Sequence, residues 1–143
     1  MGPEAAMRQK RVLLVDDSRT TLLMEKMILA GGGYEICTAL NGEEAIETAA
    51  REHPDLILLD VVMPKRDGIS ACAALRGQEA TRNVPIIMVT TRGEEENMEA
   101  AFRAGCTDFV TKPINHLELA TKVRTYLESM EDEVASGERG DAL

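Results

Sequence analysis

Leu56-Ile57-Leu58-Leu59-Asp60-Val61-Val62-Met63-Pro64-Lys65-Arg66-Asp67-Gly68 sets a short apolar run against a carboxylate and a loop punctuated by Pro and Gly. So short a run, bounded by turn residues, reads as a buried strand. A carboxylate where such a strand spills into a loop is held rigidly yet open to solvent. The same pattern recurs. Asp16 and Asp17 follow Val12-Leu13-Leu14-Val15, Thr90 closes Ile86-Ile87-Met88-Val89, and Lys112 closes Phe109-Val110-Thr111. If these runs are parallel strands, their carboxyl ends share the sheet edge where open α/β folds keep their ligand sites. Three acids, a hydroxyl and an ammonium then converge.

Working outward, apolar runs alternate with stretches of helical period, which implies βαβ units around a parallel sheet. Five such units are expected. Strands are expected near residues 11–15, 34–40, 56–59, 86–90 and 108–111. The first helix starts at Ser18 and stops before Gly31-Gly32-Gly33, with Met24 and Met27 read as core among Leu23 and Ile28. The second is capped by Asn41, carries Glu43 and Glu44 at its positive end and stops at His53-Pro54. The third opens at Asp67-Gly68 and ends near Gly77. The fourth begins around Glu94, with Met98, Ala101 and Phe102 facing inward and Gly105 as its cap. The fifth opens on an Asn115/Glu118 capping box and carries an inward stripe of Leu119, Val123, Tyr126 and Met130, leaving Leu117 and Leu127 as peripheral core or partner contacts.

Composition narrows the function. The chain has 143 residues and 44% hydrophobic content, enough for one sheet covered on both faces. Residues 10–130 form that domain, residues 1–9 read as a disordered leader, and residues 131–143 as an acidic disordered tail. No room is left in the chain for an output domain. A net charge of -9 argues against a nucleic-acid surface, and no apolar stretch approaches the roughly 20 residues needed to span a bilayer. The three cysteines, Cys37, Cys72 and Cys106, are scattered and odd in number, as expected of a reducing cytoplasm. Neither a disulfide framework nor a zinc site is expected.

Gathering Asp16, Asp17 and Asp60 is unfavourable, since two unit charges ~4 Å apart repel by about 4 kcal/mol at an effective dielectric near 20. A hard divalent cation offsets this, and Mg²⁺ suits a few carboxylates plus water. Asp60 then becomes a nucleophile able to form an acyl phosphate. Lys112 would neutralise charge on the transferring group, and the Thr90 hydroxyl would donate to one of its oxygens. Taken alone, Asp17 reads first as a helix cap, a role compatible with metal binding.

In this order, Asp16-Asp17, Asp60 followed by Met63-Pro64-Lys65-Arg66-Asp67-Gly68, Thr90 and Lys112-Pro113 resemble the receiver domain of bacterial two-component response regulators, the single-domain chemotaxis regulators in particular. The resemblance implies a flavodoxin-like, doubly wound (βα)5 fold with strand order 2-1-3-4-5. It implies Asp60 as phosphoacceptor and Asp16, Asp17, Asp60 and the main-chain carbonyl of Val62 as Mg²⁺ ligands. Thr90 and Lys112 would bind the phosphoryl group, Phe109 would turn with Thr90, and Lys112-Pro113 would be a cis peptide. The implied partners are a histidine kinase or phosphotransfer protein and a downstream protein bound through helix four, strand five and helix five, with weak homodimerisation left open. Such a protein is a phosphorelay switch and not a turnover enzyme.

Some positions depart from that pattern. Thr91 stands where a small residue is usual, which is expected to crowd the site. Val62 and Arg92 flank the approach of water to an acyl phosphate, and apolar Val62 is expected to slow its hydrolysis. A haloacid-dehalogenase-type phosphatase is the enzyme-class alternative, although it needs an acid where Val62 stands. A phosphorylation-independent scaffold is the third reading.

Overall fold

A computed structural model describes residues 8–63, 66–91 and 95–140, with the backbone alone at 95–97 and 130–140. Strands β1 (Arg11–Val15), β2 (Glu35–Ala39), β3 (Leu56–Asp60), β4 (Ile86–Thr91) and β5 (Asp108–Lys112) form one parallel sheet in the order β2-β1-β3-β4-β5. Between and after them lie helices α1 (Arg19–Leu29), α2 (Gly42–Glu52), α3 (Gly68–Arg76), α4 (Glu95–Ala104) and α5 (His116–Gly140). This is the flavodoxin-like order.

Alternation along each strand sorts the apolar residues into two cores. Leu13, Val15, Ile57, Leu59, Ile86 and Met88 face α2, α3 and α4, where Ala45, Ala49, Ala71, Cys72, Leu75 and Ala101 meet them. Val12, Leu14, Leu56, Leu58, Ile87 and Val89 face α1 and α5, against Leu22, Leu29, Leu119, Val123 and Leu127. Central β3 is therefore buried on both faces, and its carboxyl end opens only at the sheet edge.

Side-chain caps set the helix starts, each worth about 1 kcal/mol. Ser18 Oγ accepts from Thr21 N, Asn41 Oδ1 from Glu44 N, Asp67 Oδ1 from Ser70 N, and Asn115 Oδ1 from Glu118 N. At the other end of α2, His53 takes the left-handed conformation with φ 51° and halts the helix one residue before Pro54.

Three expectations need correction. Met27 is 70% exposed and Leu23 also faces solvent, because the inward stripe of α1 runs through Leu22, Glu25 and Leu29. Phe102 is 48% exposed: Met98 packs against the core and Ala101 is fully buried, and Phe102, one residue further round, leans instead on Phe109. Helix α5 passes Met130 and continues to Gly140, through a stretch in which Glu131, Glu133, Ala135, Glu138 and Arg139 favour helix. Leu127 belongs to the core, whereas Leu117 is exposed. Residues 1–7 of the expected leader, Pro64, Lys65, Arg92, Glu94 and residues 141–143 lie outside the described residues, as does the Met130 side chain. Among the described residues no helix is long and apolar enough to cross a membrane.

Candidate functional site

Parallel register brings the strand-end residues together. Asp60 lies opposite Val89, Thr90 opposite Thr111, and Thr91 opposite Lys112. Asp16 leaves β1 with its N–H bonded to Ala39 O, and its Oδ1 accepts from Ser18 N at 2.8 Å, so the turn into α1 fixes the carboxylate. Carboxylate oxygens of Asp16, Asp17 and Asp60 lie within 4.8 Å of one another. Asp16 and Asp60 are buried, and Asp17 is exposed. Lys112 Nζ reaches between them, 3.5 Å from Asp16 Oδ2 and 3.6 Å from Asp60 Oδ1. The Lys112–Pro113 peptide is cis.

The loop after Asp60 closes tightly. Gly68 N donates to Val61 O at 2.8 Å, and a Cβ on Gly68 would stand 2.0 Å from the carbonyl oxygen of Asp60. Only glycine fits there. The Asp-Gly pair thus starts α3 and lets the chain return over the carboxylate-bearing residue.

Burial, together with the charge of Asp16, pushes the Asp60 carboxyl up to about 6, opposed by Lys112 and by a hydrogen bond from the Val62 N–H. Burial works against the Lys112 ammonium, but Asp60 and Asp16 outweigh it and hold that group above its usual value. The pocket is short of positive charge. One lysine serves two buried acids, Asp17 adds a third carboxylate, and Asp16 Oδ2 has no hydrogen-bond donor. A cluster of hard oxygen donors around an unmet negative charge fits a Mg²⁺-sized cation.

Behind the pocket, Thr90 is buried in β4, while Thr91 faces outward. Phe109 is half-buried beneath two neighbours. Phe102 meets its ring edge-on at 6.3 Å, and Lys122 Nζ lies 5.4 Å above it while donating to Phe109 O at 2.7 Å.

The response regulator receiver domain family matches residues 12–124. The chain belongs to that family. A curated relative, the alkaline phosphatase synthesis transcriptional regulatory protein PhoP of Bacillus subtilis, is 38% identical over 90% of this chain and 53% of its own length. The response regulator PleD of Caulobacter vibrioides is 34% identical over 90% of this chain and 30% of its own. The chain therefore spans about half or less of the length of these relatives. Among solved structures, chemotaxis protein CheY4 of Vibrio cholerae superposes with a TM-score of 0.78 at 33% identity, covering 83% of this chain and 99% of that one. The receiver domain of sensor histidine kinase PA1611 from Pseudomonas aeruginosa gives 0.78 at 30% identity over 85% and 99%, and carries a magnesium ion in its active-site cleft.

Within this receiver domain, Glu25, Asp108, Lys122 and Arg76 make structural contributions that the sequence did not signal. Glu25 is buried within electrostatic reach of Asp16, Lys112 and Asp60. Asp108 receives the Tyr126 hydroxyl at Oδ2, 2.8 Å away, and Lys122 at Oδ1, 3.3 Å away, which ties α5 to the start of β5. Tyr126 stood only as a core residue; its polar end is what joins the two elements. Arg76 donates to the carbonyls of Gly105, Thr81 and Val84, bracing α3 against the segments that enter β4 and leave α4. Only the charge of these residues marked them, and charge in a helix usually signals solvent.

Proposed function

We propose that this receiver domain is a Mg²⁺-dependent phosphoacceptor switch in which Asp60 takes a phosphoryl group from a histidine kinase or phosphotransfer protein. The observation that carries the reading is the convergence on Asp60 of two further acids and Lys112, whose Nζ stands 3.6 Å from Asp60 Oδ1. Mg²⁺, held by the carboxylates of Asp16, Asp17 and Asp60 and the main-chain carbonyl of Val62, would supply the positive charge that lets an anionic carboxylate meet an anionic phosphoryl group.

Asp60 forms the new P–O bond as the donor's P–N bond breaks, and the departing imidazole takes a proton from solvent. Lys112, already placed between Asp16 and Asp60, then faces the added negative charge and holds it. Thr90, on the strand next to Asp60, donates its hydroxyl to a phosphoryl oxygen. A shift of Thr90 frees space behind it for Phe109, whose ring leaves Phe102 and Lys122, and the face made by α4, β5 and α5 changes shape for a protein partner. That signalling is cytoplasmic. Val62 is 62% exposed beside the pocket and offers water no hydrogen-bonding side chain, so the aspartyl phosphate is long-lived.

Incubation with acetyl phosphate and Mg²⁺ tests the reading by intact mass. The native chain gains one phosphoryl group and Asp60→Asn gains none; equal labelling of both, or of neither, rejects it. Beryllofluoride with Mg²⁺ should further move amide resonances from Asp60 through Thr90 to Phe109, whereas a scaffold would leave them in place. Val62→Asn should lose its phosphoryl group faster than the native chain.

A further inference from the structure

Glu25 occupies the middle of the inward stripe of α1, between Leu22 and Leu29, where a third aliphatic residue would complete the packing. It is 1% exposed, and neither of its carboxyl oxygens has a hydrogen-bond partner among the described residues. Its surroundings are not merely apolar. The charges of Asp16, Lys112 and Asp60 all act on it, so the carboxyl lies within electrostatic reach of the acidic pocket. Asp16 Oδ2 is also buried, and the Lys112 ammonium lies 3.5 Å away.

Both oxygens of Glu25 are therefore buried without a partner near a site whose one ammonium is shared between two acids. A buried carboxyl left in this state costs folding free energy that a leucine at the same place would not. Packing alone gives no reason for it. Among the described residues no donor is bonded to the Glu25 oxygens, and the nearby Lys112 is already shared between Asp16 and Asp60. Hydrated Mg²⁺ would: it gives up its water reluctantly, and each water it keeps presents hydrogens to whatever lies beyond. Outer acceptors of this kind orient the direct ligands and tune affinity.

We propose that Glu25 is a positioning residue of the Mg²⁺ site, an outer-sphere carboxyl that accepts hydrogen bonds from the ion's hydration water beneath Asp16. The assignment deepens the functional reading above and rests on it.

Mg²⁺ titrations of the whole chain, followed by backbone amide NMR, test this with Glu25→Leu and Glu25→Gln beside the native protein. The leucine variant should bind Mg²⁺ about tenfold more weakly, while its metal-free thermal midpoint holds or rises. Metal affinity and fold stability thus move apart, which a packing role cannot produce. Glutamine keeps an accepting oxygen and should restore most of the affinity. Glu25→Ala, which cannot clash, carries the leucine expectation for Mg²⁺ affinity alone should that variant fail to fold. Native Mg²⁺ affinity in the leucine or alanine variant overturns the proposal while native labelling of Asp60 leaves the phosphoacceptor reading standing. Absence of Mg²⁺ binding by the native chain overturns both.

Discussion

Lys112 Nζ stands 3.6 Å from Asp60 Oδ1, so the chain brings its own counter-charge into the acidic pocket. Lys112→Met should drive the Asp60 carboxyl still higher than about 6, since burial and Asp16 would act without opposition. Lys112 is about a third exposed, and with that screening the stability loss at pH 7 should be about 1 kcal/mol. Carboxyl-carbon NMR across pH, with urea unfolding, reads both; an Asp60 titration identical to the native one would contradict the pairing.

Asp60→Asn is expected to stabilise the metal-free protein. The folded carboxyl titrates at about 6 against an ordinary 3.8, so the folded state holds its proton where the unfolded state has released it. Native stability therefore falls as pH rises from about 4 to 6 and then levels off. The asparagine variant lacks that loss, and its advantage at pH 7 should reach about 2–3 kcal/mol. Denaturant midpoints that differ equally at pH 4 and pH 7 would remove the electrostatic explanation.

Glu25 extends the same sign over a wider window. Its carboxyl is raised from 4.5 to about 8, so its contribution to stability declines as pH rises between those values. Glu25→Gln should flatten the decline and be more stable at pH 8, by on the order of 3–5 kcal/mol. Thermal unfolding from pH 5 to pH 8 decides it, and parallel curves for the two proteins would count against a buried unpaired acid.

The ring of Phe109 lies under Lys122 and against Phe102. Lys122→Ala removes the cation and its bond to Phe109 O, and should cost about 1–2 kcal/mol. Freed on one side, the ring should also sample its inward position more often in the unphosphorylated protein. Side-chain NMR of Phe109 measures that population.

Gly68→Ala places a methyl group where 2.0 Å separates it from the Asp60 carbonyl oxygen. The loop must move, at a cost of about 2 kcal/mol or more, and Asp60 moves with it. Acetyl phosphate labelling should fall even at temperatures where circular dichroism reports a folded chain.

The strands were legible because each is a short apolar run bounded by turn residues, and every strand-end residue fell where its run stopped. Asn41 and Asn115 were equally plain as caps, acting through their own local N–H groups, whereas the first helix is capped by Ser18 and not by Asp17. Helix faces were less so. In α1 the set Leu22, Glu25, Leu29 and the set Leu23, Met24, Met27 both satisfy a helical period, and only the former is buried as a stripe. Met24 and Ile28 do pack against the core, but apolar character could not exclude Leu23 and Met27 or point to the buried Glu25.

Order along the chain determined which residues sit at strand ends, since burial of a short run depends on its own composition and its flanking turns. The receiver resemblance followed from the same order. What only the tertiary structure decided is how those ends meet: the register that sets Asp60 beside Thr90, the reach of Lys112 to two acids, and the burial of Glu25 within range of their charges. Such distances join residues far apart in sequence. They arise when a sheet closes and its helices pack, and no local pattern encodes them.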